Sequence, residues 1–406
     1  MNAKHFVAKL MPRFLVLEIK YFYQKIHRLI KHQRLFETFC PVNMLTKKRT
    51  HVFFGYYDIA PFNSKTDEII YNYLIEKEGI IHIVLSSLSN LNKVIEIAES
   101  HAWNWQQGSR LRWMPNNHRC IAFNDFKDNY YARIINVETK EERCVNYPLY
   151  DISSDGKMGL SIDFERLQSK RPGYGYSCRV YDETFIDLRT EGIYLVNLEI
   201  NTAEKIVTYS DISSIRGCES LDLRNNYINH LSFSPSGAKF LFFWLDAKTT
   251  PHKANLLVYD ILKQTMTALE CDLRVSHYVW EDDNHIIVTA YNHDNKCNYY
   301  RYSLSSGVRE CLCPDKLNTD GHPSFLDENV ILTDTYPDTK GFQKLYTVNL
   351  MTNERIDLLD IYSNCLYEGE RRTDLHPRLN KTKDKVCIDE NSQSNRSIMI
   401  LTLNKS

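Results

Sequence analysis

The sequence predicts an all-β fold: a seven-bladed β-propeller preceded by an amphipathic α-helix. Three observations point there. After residue 50 the chain is a series of short runs rich in Ile, Val, Tyr and Phe, such as residues 68–74, 120–124, 240–244 and 286–290. Asn, Asp, Gly, Ser and Pro separate them. Four segments then repeat a His followed three positions later by a large apolar residue: His230-Leu-Ser-Phe233, His277-Tyr-Val-Trp280, His322-Pro-Ser-Phe325 and His376-Pro-Arg-Leu379. The spacings between these His are 47, 45 and 54 residues, the unit length of propeller blades. Weaker copies begin at Tyr56, Arg110 and Leu149, which brings the count to seven.

The first element is the basic segment 1–40. It carries eight Lys and Arg against Glu18 and Glu37, a net +6, and leaves −7 on the rest of the 406-residue chain. From Pro12 its apolar residues recur at three- and four-residue intervals, the helical period. Its longest apolar run stops at Glu18, and a spanning helix needs about 20 apolar residues. Such a helix either lies on an anionic bilayer through residues 12–39 or packs on its own domain or a partner. Deleting residues 1–40 is expected to leave the propeller folded.

The propeller is expected to occupy residues 50–406. Residues 164–190 form an insertion in the third unit, read as a loop projecting from one face. The alternative is an eighth blade. Unit seven looks one strand short, and residues 50–55 are expected to supply it and close the ring. No helical run comparable to the N-terminal one appears after residue 50. The near-neutral total charge excludes a uniformly basic nucleic-acid binder. Eleven Cys without a CxxC pair read as reduced thiols of a cytoplasmic protein.

Equivalent positions in successive blades ring one channel mouth. His230, His277, His322 and His376 are therefore expected to converge. Neutral imidazoles suit a divalent transition metal, but also an anionic sugar or acid–base work. Each could instead hydrogen-bond within its own blade. In the Trp-rich stretch 101–113, Trp105, Gln107 and Arg110 are candidates for stacking on a sugar and donating to its hydroxyl and carboxylate groups. In the insertion, Pro172, Gly173 and Gly175 form turns that present Arg171, Tyr174 and Tyr176, a set for neutralising a carboxylate and moving a proton. Near the last two repeat His, Asp334 and Arg378 are further substrate-binding candidates. Asp334 either orients a His or binds metal, and it and Asp374 are otherwise turn carboxylates. There is no glycine-rich phosphate loop, HExxH or GxSxG elbow.

Gly55-Tyr-Tyr-Asp58, residues 101–108, Arg171-Pro-Gly-Tyr-Gly-Tyr176, Gly321-His-Pro-Ser324, Asp334-Thr-Tyr-Pro-Asp338 and Asp374-Leu-His-Pro-Arg378 together resemble TolB-type propellers related to the oligogalacturonate lyases. Proteins of this group often occur among bacterial surface-polysaccharide genes. The resemblance covers about residues 50–403. It implies a seven-bladed propeller that binds manganese through three His and one Gln and cleaves uronides by β-elimination. In that light the four repeat His match the channel-histidine idea, and Gln107 stands as a possible Gln ligand. Residues 379–382, Leu-Asn-Lys-Thr, replace the usual Trp-Ser-Pro-Asp type of turn. The expected function is binding of an acidic oligosaccharide or polysaccharide precursor, with or without metal-assisted cleavage. The other reading is a non-catalytic glycan-binding or scaffold protein of a polysaccharide assembly system. The expected place is the cytoplasm, either free or peripheral on the inner membrane, with no nucleic-acid partner.

Overall fold

The short runs rich in Ile, Val, Tyr and Phe form antiparallel sheets, six of four strands and one of five, and these seven sheets form the ring. The computed structural model describes residues 11–30, 33–46, 50–185, 187–393 and 395–403. Lys4, Lys9 and Lys31 of the basic segment lie outside the described residues.

The innermost strands, in blade order, are His51–Phe53, Arg112–Met114, Asp151–Ile152, Asn226–Phe233, Arg274–Trp280, Ser324–Asp327 and Arg378–Leu379. The second strand of each blade is buried on both faces, as in Lys239–Asp246, where Phe240, Leu241, Phe242 and Phe243 are almost wholly enclosed. Burying one such side chain stabilises by about 1.5–3 kcal/mol, so packing of blade against blade stabilises the ring more than any single polar contact.

Ring closure differs from the sequence expectation. Residues 50–55 do not complete the last blade; His51–Phe53 is the innermost strand of the first. The missing outer strand is Val42–Leu45, which pairs antiparallel with Ser397–Thr402. Burial explains the choice. His51, Val52 and Phe53 are all enclosed and fit the inside of a blade, whereas Val42–Leu45 is mostly half exposed and fits an edge. Phe36–Thr38 adds a fifth strand to blade six, against Arg355–Tyr362. The propeller therefore begins before residue 50, and a deletion through residue 40 removes one of its strands.

Helix α1 spans Arg13–Ile30, shorter than the 1–40 segment. The insertion does not project. It opens with α2 (Phe164–Lys170), capped by Asp163, whose carboxylate accepts from the backbone N–H of Glu165 and Arg166, both at 2.9 Å. Arg166 is fully buried and donates to the carbonyls of Leu223 and Asn226. Phe164 stacks on Tyr176 at 4.4 Å. These anchors fold the insertion back onto the body. Seven helical residues show less than two turns of periodicity, so the sequence pattern did not mark α2.

In each blade the loop into the innermost strand and the loop between the second and third strands lie on one face of the ring. Residues 101–111, 162–191, 335–341, 363–377 and 391–396 are all of these kinds. The segments singled out for chemistry thus share one face of the ring, the face on which His322 and His376 lead into their innermost strands.

Candidate functional site at the channel mouth

The four repeat His do converge, around Tyr56. Its ring lies 5.0 Å from His230, 6.4 Å from His277, 5.9 Å from His322 and 4.7 Å from His376. Neighbouring imidazoles are 6.2 Å (His230–His277), 4.2 Å (His277–His322) and 4.5 Å (His322–His376) apart. Local backbone features aim them. His230 and His376 have φ of 54° and 47°, and the ladder register shifts at Asn229/Ser232 and Val275/His277. A bulge turns a side chain off the sheet face.

Three of the rings are oriented by acceptors behind them. His277 Nδ1 lies 3.1 Å from Asp320 Oδ1, His322 Nδ1 2.9 Å from Asp334 Oδ1, and His376 Nδ1 3.0 Å from the Gly55 carbonyl oxygen. An oxygen acceptor at Nδ1 requires the proton there, so in the neutral ring Nε2 keeps its lone pair. The Nε2 atoms of His322 and His376 are buried without a hydrogen-bond partner, and so is the Tyr56 hydroxyl. Gly55 holds its carbonyl in place through a tight contact: with φ of +148°, an added Cβ would lie 2.8 Å from the Gln107 carbonyl oxygen.

The electrostatics sort the rings. Burial pushes His230 and His376 well below the ordinary imidazole range, and the other imidazoles add to the effect. Burial also lowers His277, with His322 contributing. Burial opposes charge on His322 too, but the Asp334 carboxylate outweighs it and raises that ring. Burial raises the hydroxyl groups of Tyr56 and Tyr336 well above the ordinary range.

A ligand set for a cation is present, but it is not four His. His322, Asp374 and His376 offer donor atoms that all lie within 4.8 Å of one another. His230 and His277 contribute no donor to that group. Two imidazole nitrogens without a hydrogen-bond partner and a carboxylate fit a divalent metal that accepts mixed N and O ligands. Arg372 competes for the carboxylate, with its Nε 2.8 Å from Asp374 Oδ2. A second group, His82, Glu96 and Glu99, lies on blade one, away from the channel.

The remaining sequence candidates divide. Tyr174 reaches the cluster: its ring is 5.9 Å from His230, and its hydroxyl accepts from Arg372 at 3.3 Å. Arg171 sits 5.3 Å from the Tyr174 ring, and among the described residues no carboxylate pairs with it. Tyr176 is fully buried, with its hydroxyl accepting from Asn124, so it serves the insertion's own packing. Gln107 is buried; its amide donates to Tyr150 at 2.8 Å and its Oε1 has no partner.

Three substrate-binding expectations meet committed side chains. Arg110 forks onto Asp58 (2.7 and 3.2 Å) and donates to the Tyr150 carbonyl. Arg378 pairs with Asp389 at 2.8 Å and donates to the Gly55 carbonyl. Asp334 spends both oxygens on His322 and the His376 backbone N–H, so it orients rather than binds. Trp105 lies away from the imidazoles, beside a cavity of about 580 Å³ that Trp103, Phe126 and Glu370 also line.

The sequence pattern did not single out Tyr56, Tyr336, Asp320 or Arg372. One signal was available. Asp320 precedes His322 by two residues just as Asp374 precedes His376, so two blades carry Asp-x-His at the same point.

No protein-family model matches the chain, and no curated protein does. Solved structures do. An oligogalacturonate lyase in complex with manganese aligns over 91% of this chain and 94% of its own, with a TM-score of 0.67 and 13% identity. An oligogalacturonate lyase from Vibrio parahaemolyticus aligns over 91% and 97%, with a TM-score of 0.64 and 14% identity. A TolB from Acinetobacter baumannii aligns over 75% and 65%, at 0.43 and 13%, a likeness on which nothing below rests. The first two alignments run nearly end to end in both partners, so the likeness is of whole seven-bladed rings, the fold expected from the repeats.

Proposed function

We propose that the chain binds an acidic glycan or glycan precursor at this mouth and cleaves it by β-elimination at a uronic acid. The carrying observation is the pair of buried, unpartnered Nε2 atoms on His322 and His376 beside the Asp374 carboxylate. The solved lyase in complex with manganese supports the same reading. His322, His376 and Asp374 would hold a divalent cation, which when bound supplies Lewis acidity toward a substrate carboxylate.

The chain's own groups cover the rest. Arg171, without a carboxylate partner among the described residues, neutralises the uronate. Tyr174, with Arg171 over its ring at 5.3 Å and Arg372 3.3 Å from its hydroxyl, is the group placed to handle the proton. Asp320 and Asp334 fix the rings of His277 and His322 from behind.

The test is ultraviolet absorbance of unsaturated uronide on incubation with oligouronides, with and without manganese. Activity lost in His322→Ala and His376→Ala supports cleavage. No absorbance change with any uronide sinks it.

One observation favours a non-catalytic glycan-binding or scaffold role. Arg372 already pairs with Asp374 at 2.8 Å, so a cation of the chain itself occupies the carboxylate of the ligand set. Calorimetric binding of an oligouronide without turnover, unchanged by metal removal, selects this second reading.

A further inference from the structure

Helix α1 docks the wrong way round for a surface helix. Its half-buried and buried residues are Val16, Leu17, Tyr21, Gln24, His27 and Arg28, one arc of the helical wheel. Half of that arc is polar: Gln24, His27 and Arg28. Gln24, 1% exposed, accepts from the Tyr362 hydroxyl at 3.2 Å. Arg28 lies 3.7 Å over the Tyr362 ring, and Arg13 forks onto Glu368 at 2.9 and 3.0 Å.

The opposite arc carries Leu15, Ile19, Phe22, Ile26, Leu29 and Ile30 into solvent. Phe22 is 62% exposed, Leu29 67% and Ile30 69%. An ordinary surface helix buries its apolar arc and shows its polar one. Here a continuous apolar stripe more than four turns long points away from the propeller, and among the described residues nothing covers it.

We propose that this stripe is the docking surface for an anionic lipid bilayer, with α1 lying in the interface plane. Charge selects the occupant. Besides Arg13, which pairs with Glu368, and Arg28, which lies over Tyr362, the helix carries Lys20 and Lys25 against Glu18, and Lys31 and Arg34 follow in the chain. Lys25 borders the stripe, where its stem lies along acyl chains while its ammonium group reaches lipid phosphates, and Lys20, also exposed, adds positive charge farther round the helix. A second copy would bring a like-charged helix against this one, which the same lysines oppose. The helix is too charged to cross: among the described residues no helix is long and apolar enough to span a membrane.

The placement gives the docking a consequence. Gln24 abuts Gly341, in the loop that carries Tyr336, and Arg13 pairs with Glu368, four residues before Arg372. Both loops belong to the site face. A bilayer on the far side of α1 therefore lies one helix diameter, about 10 Å, from loops of the site face, and, resting on the function proposed above, the glycan bound there is one held at a membrane surface.

The experiment is co-sedimentation of the full chain with vesicles of phosphatidylglycerol and phosphatidylcholine, against phosphatidylcholine alone. The expected result is at least tenfold stronger binding to the anionic vesicles, reduced by high salt. Phe22→Asp with Ile26→Asp should abolish it while the unfolding midpoint stays unchanged, and Lys20→Glu with Lys25→Glu should remove the preference for anionic lipid. Absence of vesicle binding by the unaltered chain overturns the proposal. So does light scattering that shows a dimer which Phe22→Asp with Ile26→Asp splits, since the stripe is then filled by a second copy. Soluble oligouronide binding is measured in parallel; it reports on the glycan reading alone, because α1 contributes no residue to the imidazole cluster. A vesicle-tethered oligouronide should bind more tightly than the free one only when the stripe is intact, and equal binding overturns the membrane-surface ligand.

Discussion

Replacing Asp334 with Asn tests the imidazole layer at its support. Asp334 Oδ1 accepts from the His322 backbone N–H at 2.7 Å and from His322 Nδ1 at 2.9 Å. Its Oδ2 accepts from the His376 backbone N–H at 3.2 Å. An Asn offers one oxygen and one NH2. Whichever way the amide turns, the NH2 faces an N–H donor, and at least one buried donor loses its acceptor. A buried group left unsatisfied costs about 1–3 kcal/mol, and removing one partner of a buried ion pair about 3–5 kcal/mol. We expect about 3 kcal/mol of lost stability, read as a lower urea midpoint at unchanged slope. Release of the His322 ring should also weaken manganese binding by about 10–100-fold, measured by calorimetry. A loss under about 1 kcal/mol together with unaltered manganese affinity would refute the claim that Asp334 holds His322 for a metal.

Other substitutions separate binding from structure. Arg171→Ala should leave stability within about 1 kcal/mol, because the guanidinium has no carboxylate partner, and lower oligouronide affinity about tenfold or more by calorimetry. Equal affinity would remove Arg171 from the site. Glu270 bears on pH. Burial opposes its charge, but the Tyr302 hydroxyl, the backbone N–H groups of Leu273 and Asp272, and Arg309 outweigh it and hold its pKa below the ordinary value. That stability is present above the unfolded value of about 4.3 and is lost as pH falls through the lower folded one. Glu270→Gln should flatten the acid limb of the urea midpoint from pH 5 downward; parallel curves for the two proteins would contradict it. The Cys218 and Cys271 thiols lie 3.7 Å apart, and the hydrogen bond from Cys271 lowers Cys218. Diamide should therefore consume two of the eleven thiols in a thiol titration, and none of that pair in Cys218→Ser.

The seven-fold repeat and the convergence of the His were legible because both follow from period. A blade unit returns every 45–54 residues, and whatever side chain sits at one register point must reappear around the mouth. The strand that closes the ring was less legible. Val42–Leu45 and His51–Phe53 are both short apolar runs, and only burial on one side or two tells an edge from an interior. The fates of Arg110 and Arg378 were not legible at all. Each looked free as a sequence neighbour of Trp113 or His376, and each is held by a carboxylate in another turn or strand, Asp58 or Asp389. A lone Arg shows its charge in sequence, but its partner only in three dimensions. Tyr56 was visible as the start of a weak unit, but that unit lacks the His, so nothing in the pattern marked it as chemistry.

The backbone at the mouth carries its own argument that side chains, not packing convenience, define these positions. Arg110, His230 and His376 occupy equivalent points of the repeat, Arg110 and His376 two residues before an innermost strand and His230 at the bulge within one, and all three have φ between 47° and 57°. A residue with a Cβ in that left-handed region costs about 1–2 kcal/mol that Gly does not. If the ring needed only the turn, Gly would be the cheaper residue. Instead one position holds a guanidinium that bridges Asp58 to the Tyr150 carbonyl, and two hold imidazoles. The sharpest contrast lies within the set. Arg110 uses its strained backbone to make bonds that the fold itself requires. His376 uses the same conformation to leave Nε2 buried, neutral and without a partner, 4.5 Å from the next ring. The conformation serves the fold as well, since His376 Nδ1 meets the Gly55 carbonyl and its backbone N–H meets Asp334; what the fold leaves unused is Nε2, the atom that the proposed cation would take.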